Sequence, residues 1–184
     1  MTAYVALLRG INVSGKNKIA MAELRALVES LGYEGVQTYI QSGNVVFGSS
    51  VRRAATVQDA IAGAITRELG LDVTVLVRTA KEFDAVLASN PFLASGADPT
   101  KLHVTFLARA PTATAVRALG DVDRPPDEFV VTKREVFVHC PDGYGNTKLT
   151  NSFFEKRLGV AATTRNWRTV QTLTSLAKKS GDDA

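Results

Sequence analysis

The order of strand-like and helix-like segments up to residue 79 constrains the fold of this chain most. Two stretches repeat apolar residues every three or four positions, the spacing of a helix with one buried face, and short runs rich in β-branched and aromatic residues surround them. The predicted elements are a strand at 3–8, a helix at 21–31, strands at 36–41 and 44–47, a helix at 57–69 and a strand at 73–78. Ser42 and Gly43 predict a tight hairpin between the second and third strands. The order is therefore βαββαβ.

The same order restarts near residue 102. A short helix at 79–88 and a stretch with Pro and Gly at 90–99 precede it. The pattern then predicts a strand at 102–108, a helix at 111–119, strands at 129–132 and 136–139, a helix at 147–158, a strand at 160–163 and a closing helix at 167–177. No residue-level repeat accompanies this order, so the duplication is inferred from the order of elements alone.

This order predicts an α+β fold. A βαββαβ unit with right-handed crossovers forms an antiparallel sheet backed by two helices, the ferredoxin-like arrangement. We therefore expect two tandem ferredoxin-like units and a C-terminal helix. The predicted domain limits are 1–79 for the first unit, 80–99 for a linker helix and loop, and 100–184 for the second unit. The sequence leaves open whether the halves share one sheet and what the oligomeric state is.

The predicted topology brings two distant loops together. The first and second strands run in the same direction, so the loop at 10–18 and the hairpin at Ser42 and Gly43 leave the sheet at the same end. Both loops are polar and contain glycine. This end of the first unit is therefore the best candidate for a binding site.

Composition narrows the class of protein. Cys140 is the only cysteine, which excludes an intramolecular disulfide and fits a reducing compartment. No run approaches the ~18 apolar residues that cross a bilayer, so we expect a cytoplasmic protein with no membrane partner. His103 and His139 have no acidic residues at ligand spacing, so neither a metal site nor a cofactor is expected. Ser42 lies outside a GxSxG elbow and no acid pair stands out, which leaves open whether the protein is an enzyme.

The charge distribution favours an anionic partner. The formal net charge is +4, from 22 Lys and Arg against 18 Asp and Glu. From Tyr144 onward the chain has seven basic residues against three acidic ones. A solvated basic helix face explains this mild excess equally well.

The segment from Gly10 to Lys16 matches the GxxxxGK pattern of phosphate-cradling loops. However, Asn17 stands where that motif needs Ser or Thr, and the next helix begins some residues later. The element order also lacks the parallel sheet of such NTPases. A connecting turn remains an alternative, and a nonhydrolytic anion site that uses Arg9, Lys16 and Lys18 is slightly favoured.

Three further segments carry polar side chains whose roles stay open. Gln41, Ser42 and Asn44 surround the hairpin and could be turn formers. Arg165, Asn166 and Trp167 precede the last helix; Asn166 or Thr164 could cap it, and Trp167 belongs either to the core or to a pocket. The Gly-rich turn at 141–148 leads into a helix whose N-terminus would suit an anion.

Four stretches of sequence resemble one family. They are LLRGINVSGKNKIAMAELRALVESLG (7–32), TYIQSGNVVF (38–47), NPF (90–92) and TTRNWRTVQTL (163–173). Together they resemble a widespread bacterial family, domain of unknown function 1697. The resemblance implies a cytoplasmic protein with ferredoxin-like α+β halves and no established activity, cofactor or partner. The signature stretches coincide with the polar loops singled out above.

The leading hypothesis is a protein that binds a phosphate-bearing ligand, either nucleic acid or a nucleotide, through polar loops that contain glycine. An enzyme acting on a small anionic metabolite and a protein-interaction module without a small-molecule site are the alternatives. Protein partners are not predicted. The candidate ligand-binding residues are Arg9, Asn12, Lys16, Asn17, Lys18, Gln41, Ser42, Asn44, Arg165, Asn166 and Trp167.

Overall fold

A computed structural model describes residues 1–13, 15–120 and 124–182, with side chains up to residue 180. Ser14 of the GxxxxGK pattern and residues 121–123 and 183–184 of the predicted second domain lie outside the described residues. The chain divides into two units, Met1–Ala85 with Thr172–Ala184, and Val86–Gln171. The domain limits drawn from the sequence stay a prediction.

The first unit contains one four-stranded antiparallel sheet. Its strands follow the order β2-β3-β1-β4, which is the ferredoxin-like order. The elements are β1 (Thr2–Leu8), α1 (Met21–Ser30), β2 (Glu34–Tyr39), β3 (Asn44–Ser49), α2 (Ala54–Leu69) and β4 (Val75–Thr79).

The second unit repeats this topology with its own sheet, in the order β6-β7-β5-β8. Helices α3 (Ala80–Ala88) and α4 (Pro91–Ala94) precede it. The elements are β5 (Leu102–Leu107), α5 (Ala113–Gly120), β6 (Glu128–Val131), β7 (Glu135–His139), α6 (Asn151–Leu158) and β8 (Ala162–Asn166), followed by α7 (Trp167–Asp182). The predicted α+β class with two ferredoxin-like units and a C-terminal helix is confirmed.

Some element limits differ from the sequence-based prediction. Strands β4 and β8 begin two residues later than expected, at Val75 and Ala162. Helix α6 begins at Asn151 instead of 147, because the Thr150 side chain accepts a hydrogen bond from the Phe153 amide and fixes the helix start there. The hairpin turn spans 40–43 rather than two residues, since β2 ends at Tyr39.

The core of the first unit lies between its sheet and helices α1 and α2. Tyr4 and Leu8 of β1 are buried with Leu24 of α1 and Ile61 of α2. Apolar residues at every second strand position and at three- and four-residue helix spacings produce these matching faces.

The corresponding layer of the second unit is more polar. Leu107 packs in a cluster with Leu119 of α5 and Phe154 of α6. His103 and Thr105 lie on the same face of β5, because side chains alternate along a strand. The Thr105 hydroxyl lies 2.7 Å from that of Thr164 in β8.

Candidate functional site

The loop after β1 and the β2–β3 hairpin meet at one end of the first sheet. The Leu8 amide donates to the Gly43 carbonyl at 2.8 Å, and Asn12 Nδ2 donates to the Gln41 carbonyl at 2.9 Å. The predicted proximity of these two loops is therefore confirmed.

The loop folds as a small hairpin of its own. The Asn12 amide donates to the Asn17 carbonyl at 3.2 Å and the Lys16 amide to the Val13 carbonyl at 3.0 Å. Asn12, Gly15 and Asn17 have φ values of 54°, 76° and 47°. Asn and Gly are the residues that adopt this left-handed region most readily, which explains their presence here.

The Asn12 side chain holds the loop to both of its neighbours. Its Oδ1 accepts a hydrogen bond from the Ile19 amide, and its Nδ2 donates to the Ile19 and Gln41 carbonyls, all at 2.9 Å. Both amide hydrogens are thus occupied. Asn12 links the hairpin turn to the residue that enters α1.

A cleft of about 360 Å³ opens where these segments meet. It is lined by Asn12, Gly15, Lys18, Ile19, Ala20 and Gln41. Sequence reasoning identified the polar members of this set and missed Ile19 and Ala20. The volume lies in the range of roughly 300–1,000 Å³ that is typical of small-molecule sites.

The N-terminus of α1 lies at this cleft and lacks a side-chain cap. Ala20 occupies the N-cap position with extended backbone and has no side chain that can accept a hydrogen bond. The first amide groups of a helix have no partner within the helix and carry a partial positive charge. Glu23 is the one acidic residue of this turn. Its exposed carboxylate partly offsets that charge.

Two lysines add positive charge on the same loop. Lys16 and Lys18 are exposed, and neither forms an ion pair within the part of the chain that the structure describes. Arg9 is half-buried at the end of β1, and its amide donates to the Thr74 carbonyl at 2.9 Å. Lys18 lines the cleft, and Lys16 lies on the same loop.

The GxxxxGK segment does not form an NTPase phosphate loop. Strand β1 lies in an antiparallel sheet, and α1 begins at Met21 rather than beside Lys16. The Lys16 amide is already engaged by Val13. The geometry therefore excludes a nucleotide-hydrolysing phosphate loop at this segment.

The remaining hairpin residues shape the turn. Asn44 is buried, and its Nδ2 donates to the Tyr39 carbonyl at 3.0 Å and to Ser42 Oγ at 2.8 Å. A Cβ on Gly43 would lie 2.6 Å from Ile11 and 2.7 Å from Leu8. Only glycine lets the hairpin approach the loop this closely.

Arg165, Asn166 and Trp167 belong to the second unit. Arg165 is 8% exposed; its Nη1 donates to Thr163 Oγ1 at 2.8 Å, and burial lowers its pKa to about 10. Asn166 Oδ1 accepts a hydrogen bond from the Thr169 amide at 2.8 Å and so caps α7. Trp167 is 2% exposed and buried in the interior. The ligand-binding roles of these three residues stay a prediction.

The Gly-rich turn of the second unit borders another cleft, of about 340 Å³. Cationic and anionic side chains mix there, and Thr150 already caps α6. The lining residues are Arg124, Pro125, Pro126, Asp127, Asp142, Gly143, Asn146 and Lys148. The charge at this cleft therefore does not select an anion as clearly as that of the first unit.

The described residues contain neither a candidate metal cluster nor a helix that could span a membrane. No group of three or more His, Cys, Asp or Glu side chains within residues 1–13, 15–120 and 124–182 is arranged so that it could hold a metal ion. No helix of this described part is long and apolar enough to cross a membrane.

Comparison with known proteins identifies the family. The model of a family described as "Protein of unknown function (DUF1697)" matches residues 1–137, which include the whole cleft of the first unit. The chain belongs to the DUF1697 family. The resemblance noted in the sequence is thereby confirmed.

A solved structure supports the fold of this DUF1697 protein. The chain is similar to the conserved bacterial protein SP0830 from Streptococcus pneumoniae, with 27% sequence identity and a TM-score of 0.77. The match covers 96% of this chain and 98% of the other. No curated protein matches the chain.

Proposed function

We propose that this DUF1697 protein binds a phosphate-bearing ligand, a nucleotide or a nucleic acid, in the cleft of the first unit. The observation that carries the proposal is the uncapped N-terminus of α1 at a cleft bordered by the exposed Lys18. A lone buried cysteine fits the expectation that the protein acts in the cytoplasm.

The physical basis of the proposal is complementarity of charge and hydrogen bonding. Amide groups at a helix N-terminus donate to phosphate oxygens, and the helix dipole favours a negative charge there. Lys18 and Lys16 supply ammonium groups on the preceding loop. Hydrogen bonds to charged groups contribute about 1.5–3 kcal/mol each, so loss of one ammonium group should be measurable.

The loop is preorganised to present these groups. Asn12 holds the entry to α1 through three hydrogen bonds to other parts of the chain. Ordering costs that would otherwise reduce affinity are therefore already met within the fold.

The test is calorimetric titration with inorganic phosphate, adenosine 5′-monophosphate and a 5′-phosphorylated oligonucleotide. Lys18→Ala should weaken binding about tenfold, because removal of a charged hydrogen-bond donor costs on the order of 1.4 kcal/mol. Lys16→Ala should act in the same direction. An affinity for the oligonucleotide that falls steeply with rising salt would favour nucleic acid, since each neutralised phosphate releases counterions.

Arg52→Ala is the matched control. Arg52 is exposed and follows β3, whose last residue, Ser49, pairs with Thr2 at the opposite end of the sheet. The control should leave affinity unchanged. Equal affinities of wild type, Lys18→Ala and Lys16→Ala, or no binding of any of the three probes, would contradict the proposal.

A further inference from the structure

Two exposed apolar residues adjoin, in sequence, residues that line the cleft. Val13 is 59% exposed and Ile40 is 51% exposed. Each is next in sequence to one partner of the Asn12–Gln41 hydrogen bond, so both lie at the same junction of loop and hairpin. Single exposed hydrophobic residues are common, but these two flank lining residues of a cleft that also contains Lys18, so the surface there is both apolar and cationic.

Neither the backbone conformation nor the packing of the core favours an isoleucine at position 40. Its backbone has φ 48°, a left-handed conformation that Gly or Asn adopts more readily than a β-branched residue. Half of the side chain is exposed, so its contribution to the core is small. An apolar side chain thus occupies a turn position where the backbone conformation would favour Gly or Asn.

Gln41 adds an unused recognition group at the same place. The residue is exposed and lines the cleft, and its side-chain amide has no hydrogen bond within the described residues. An amide offers a donor and an acceptor together, the pairing by which Gln and Asn read the edge of adenine.

We infer that the ligand is a free mononucleotide whose base packs on Ile40 and Val13 while its phosphate lies at the N-terminus of α1. This inference rests on the proposed phosphate site and adds the chemical class of the ligand. The base contributes a flat apolar face for Ile40 and a polar edge for Gln41. A sugar phosphate without a base satisfies only the cationic half of this surface.

The experiment compares adenosine 5′-monophosphate with ribose 5-phosphate, which carries the same phosphate and no base. Wild type should bind the nucleotide about tenfold more tightly, since the base buries apolar surface and pairs with Gln41. Ile40→Asn should weaken nucleotide binding about fivefold and leave ribose 5-phosphate binding unchanged. Asn suits the left-handed turn, so this variant should fold.

Val51→Asn is the control, because Val51 is 36% exposed and follows β3 at the opposite end of the sheet. It should retain the wild-type preference for the nucleotide. Equal affinities of wild type for the two probes, with both reduced by Lys18→Ala, would overturn this inference and leave the phosphate site standing. Binding of neither probe would overturn this inference, and it would overturn the phosphate site as well if inorganic phosphate and the oligonucleotide also failed to bind. A 5′-phosphorylated oligonucleotide that binds more tightly than the mononucleotide would overturn the choice of a free nucleotide.

Discussion

The two units share one framework and differ in what is built on it. In the first unit the Leu8 amide donates to Gly43, and in the second the Leu107 amide donates to Arg134, both at 2.8 Å. Each bond ties the end of the first strand of its unit to the hairpin beside it. Arg134 shows that this framework does not itself require glycine in the hairpin.

The connection to the first helix is where the units diverge. Residues 9–20 join β1 to α1, whereas residues 108–112 join β5 to α5. In the short connection the Thr112 hydroxyl accepts a hydrogen bond from the Ala115 amide at 3.2 Å and caps α5. The corresponding N-cap residue of α1 is Ala20, which offers no such group. The longer connection therefore forms a cleft and leads into α1 without a side-chain cap.

Gly43→Ala should disrupt the contact between the hairpin and the end of β1 in the first unit, and it should have the largest effect on stability. The new methyl group would collide with Ile11 and Leu8, and alanine disfavours the φ of +71° at this position. We expect the free energy of unfolding to fall by about 3 kcal/mol, from overpacking and left-handed strain together. Chemical denaturation measures this change.

Gly10→Ala provides the matched control for that experiment. Gly10 has φ +66° but open space around its Cα, so only the conformational cost of about 1 kcal/mol applies. Losses of the same size in the two variants would show that the contact with Ile11 is not what requires glycine at the hairpin.

Thr112→Ala should leave α5 without a side-chain cap at its N-terminus, as α1 is. Loss of an N-cap side chain costs about 1 kcal/mol, so the free energy of unfolding should fall by that amount. Thr114→Ala, also exposed and two residues later, is the control and should change it by less. If Thr112→Ala left the free energy of unfolding unchanged, the cap on α5 would not stabilise the helix, and the difference between the N-termini of α1 and α5 would have no effect on stability.

His103→Gln tests the more polar core layer of the second unit through the pH dependence of stability. Burial lowers the pKa of His103, whose ring stacks on Tyr144 with centroids 4.3 Å apart. The unfolded chain therefore binds more protons than the folded one as the pH falls below the usual histidine value of about 6.5. Stability is intact above that value and decreases as the pH drops through it. His103→Gln should flatten this decrease in a pH series of melting temperatures, and an unaltered slope would contradict the assignment; His139→Gln is the comparison.

The framework could be read from the sequence because strand and helix periodicities are local signals. The predicted starts of β4 and β8 are each two residues too early, for the same reason. Val73 and Val160 are buried, at 4% and 6% exposure, yet each precedes its strand. Apolar content marks burial, and it does not by itself distinguish a strand from the connection that leads into it.

Only part of the candidate site could be predicted from the sequence. The polar residues and the meeting of the two loops followed from composition and topology. The missing cap was visible in the sequence, since Ile19 and Ala20 precede Met21 where Ser, Thr, Asp or Asn would be usual. The exposure of Ile40 was not visible, because it depends on the hairpin turn including residue 40, which the hydrogen bond from Asn44 Nδ2 to the Tyr39 carbonyl helps to hold.

Ala20→Thr tests the central claim most directly, because it gives α1 the cap that Thr112 gives α5. The added hydroxyl should occupy an amide of the first turn and raise the free energy of unfolding by about 1 kcal/mol. In the same variant, calorimetric titration should show weaker binding of adenosine 5′-monophosphate, since the cap competes with the phosphate for the same amide groups. Greater stability with reduced affinity is the result that the account predicts. Greater stability with unchanged affinity would contradict it.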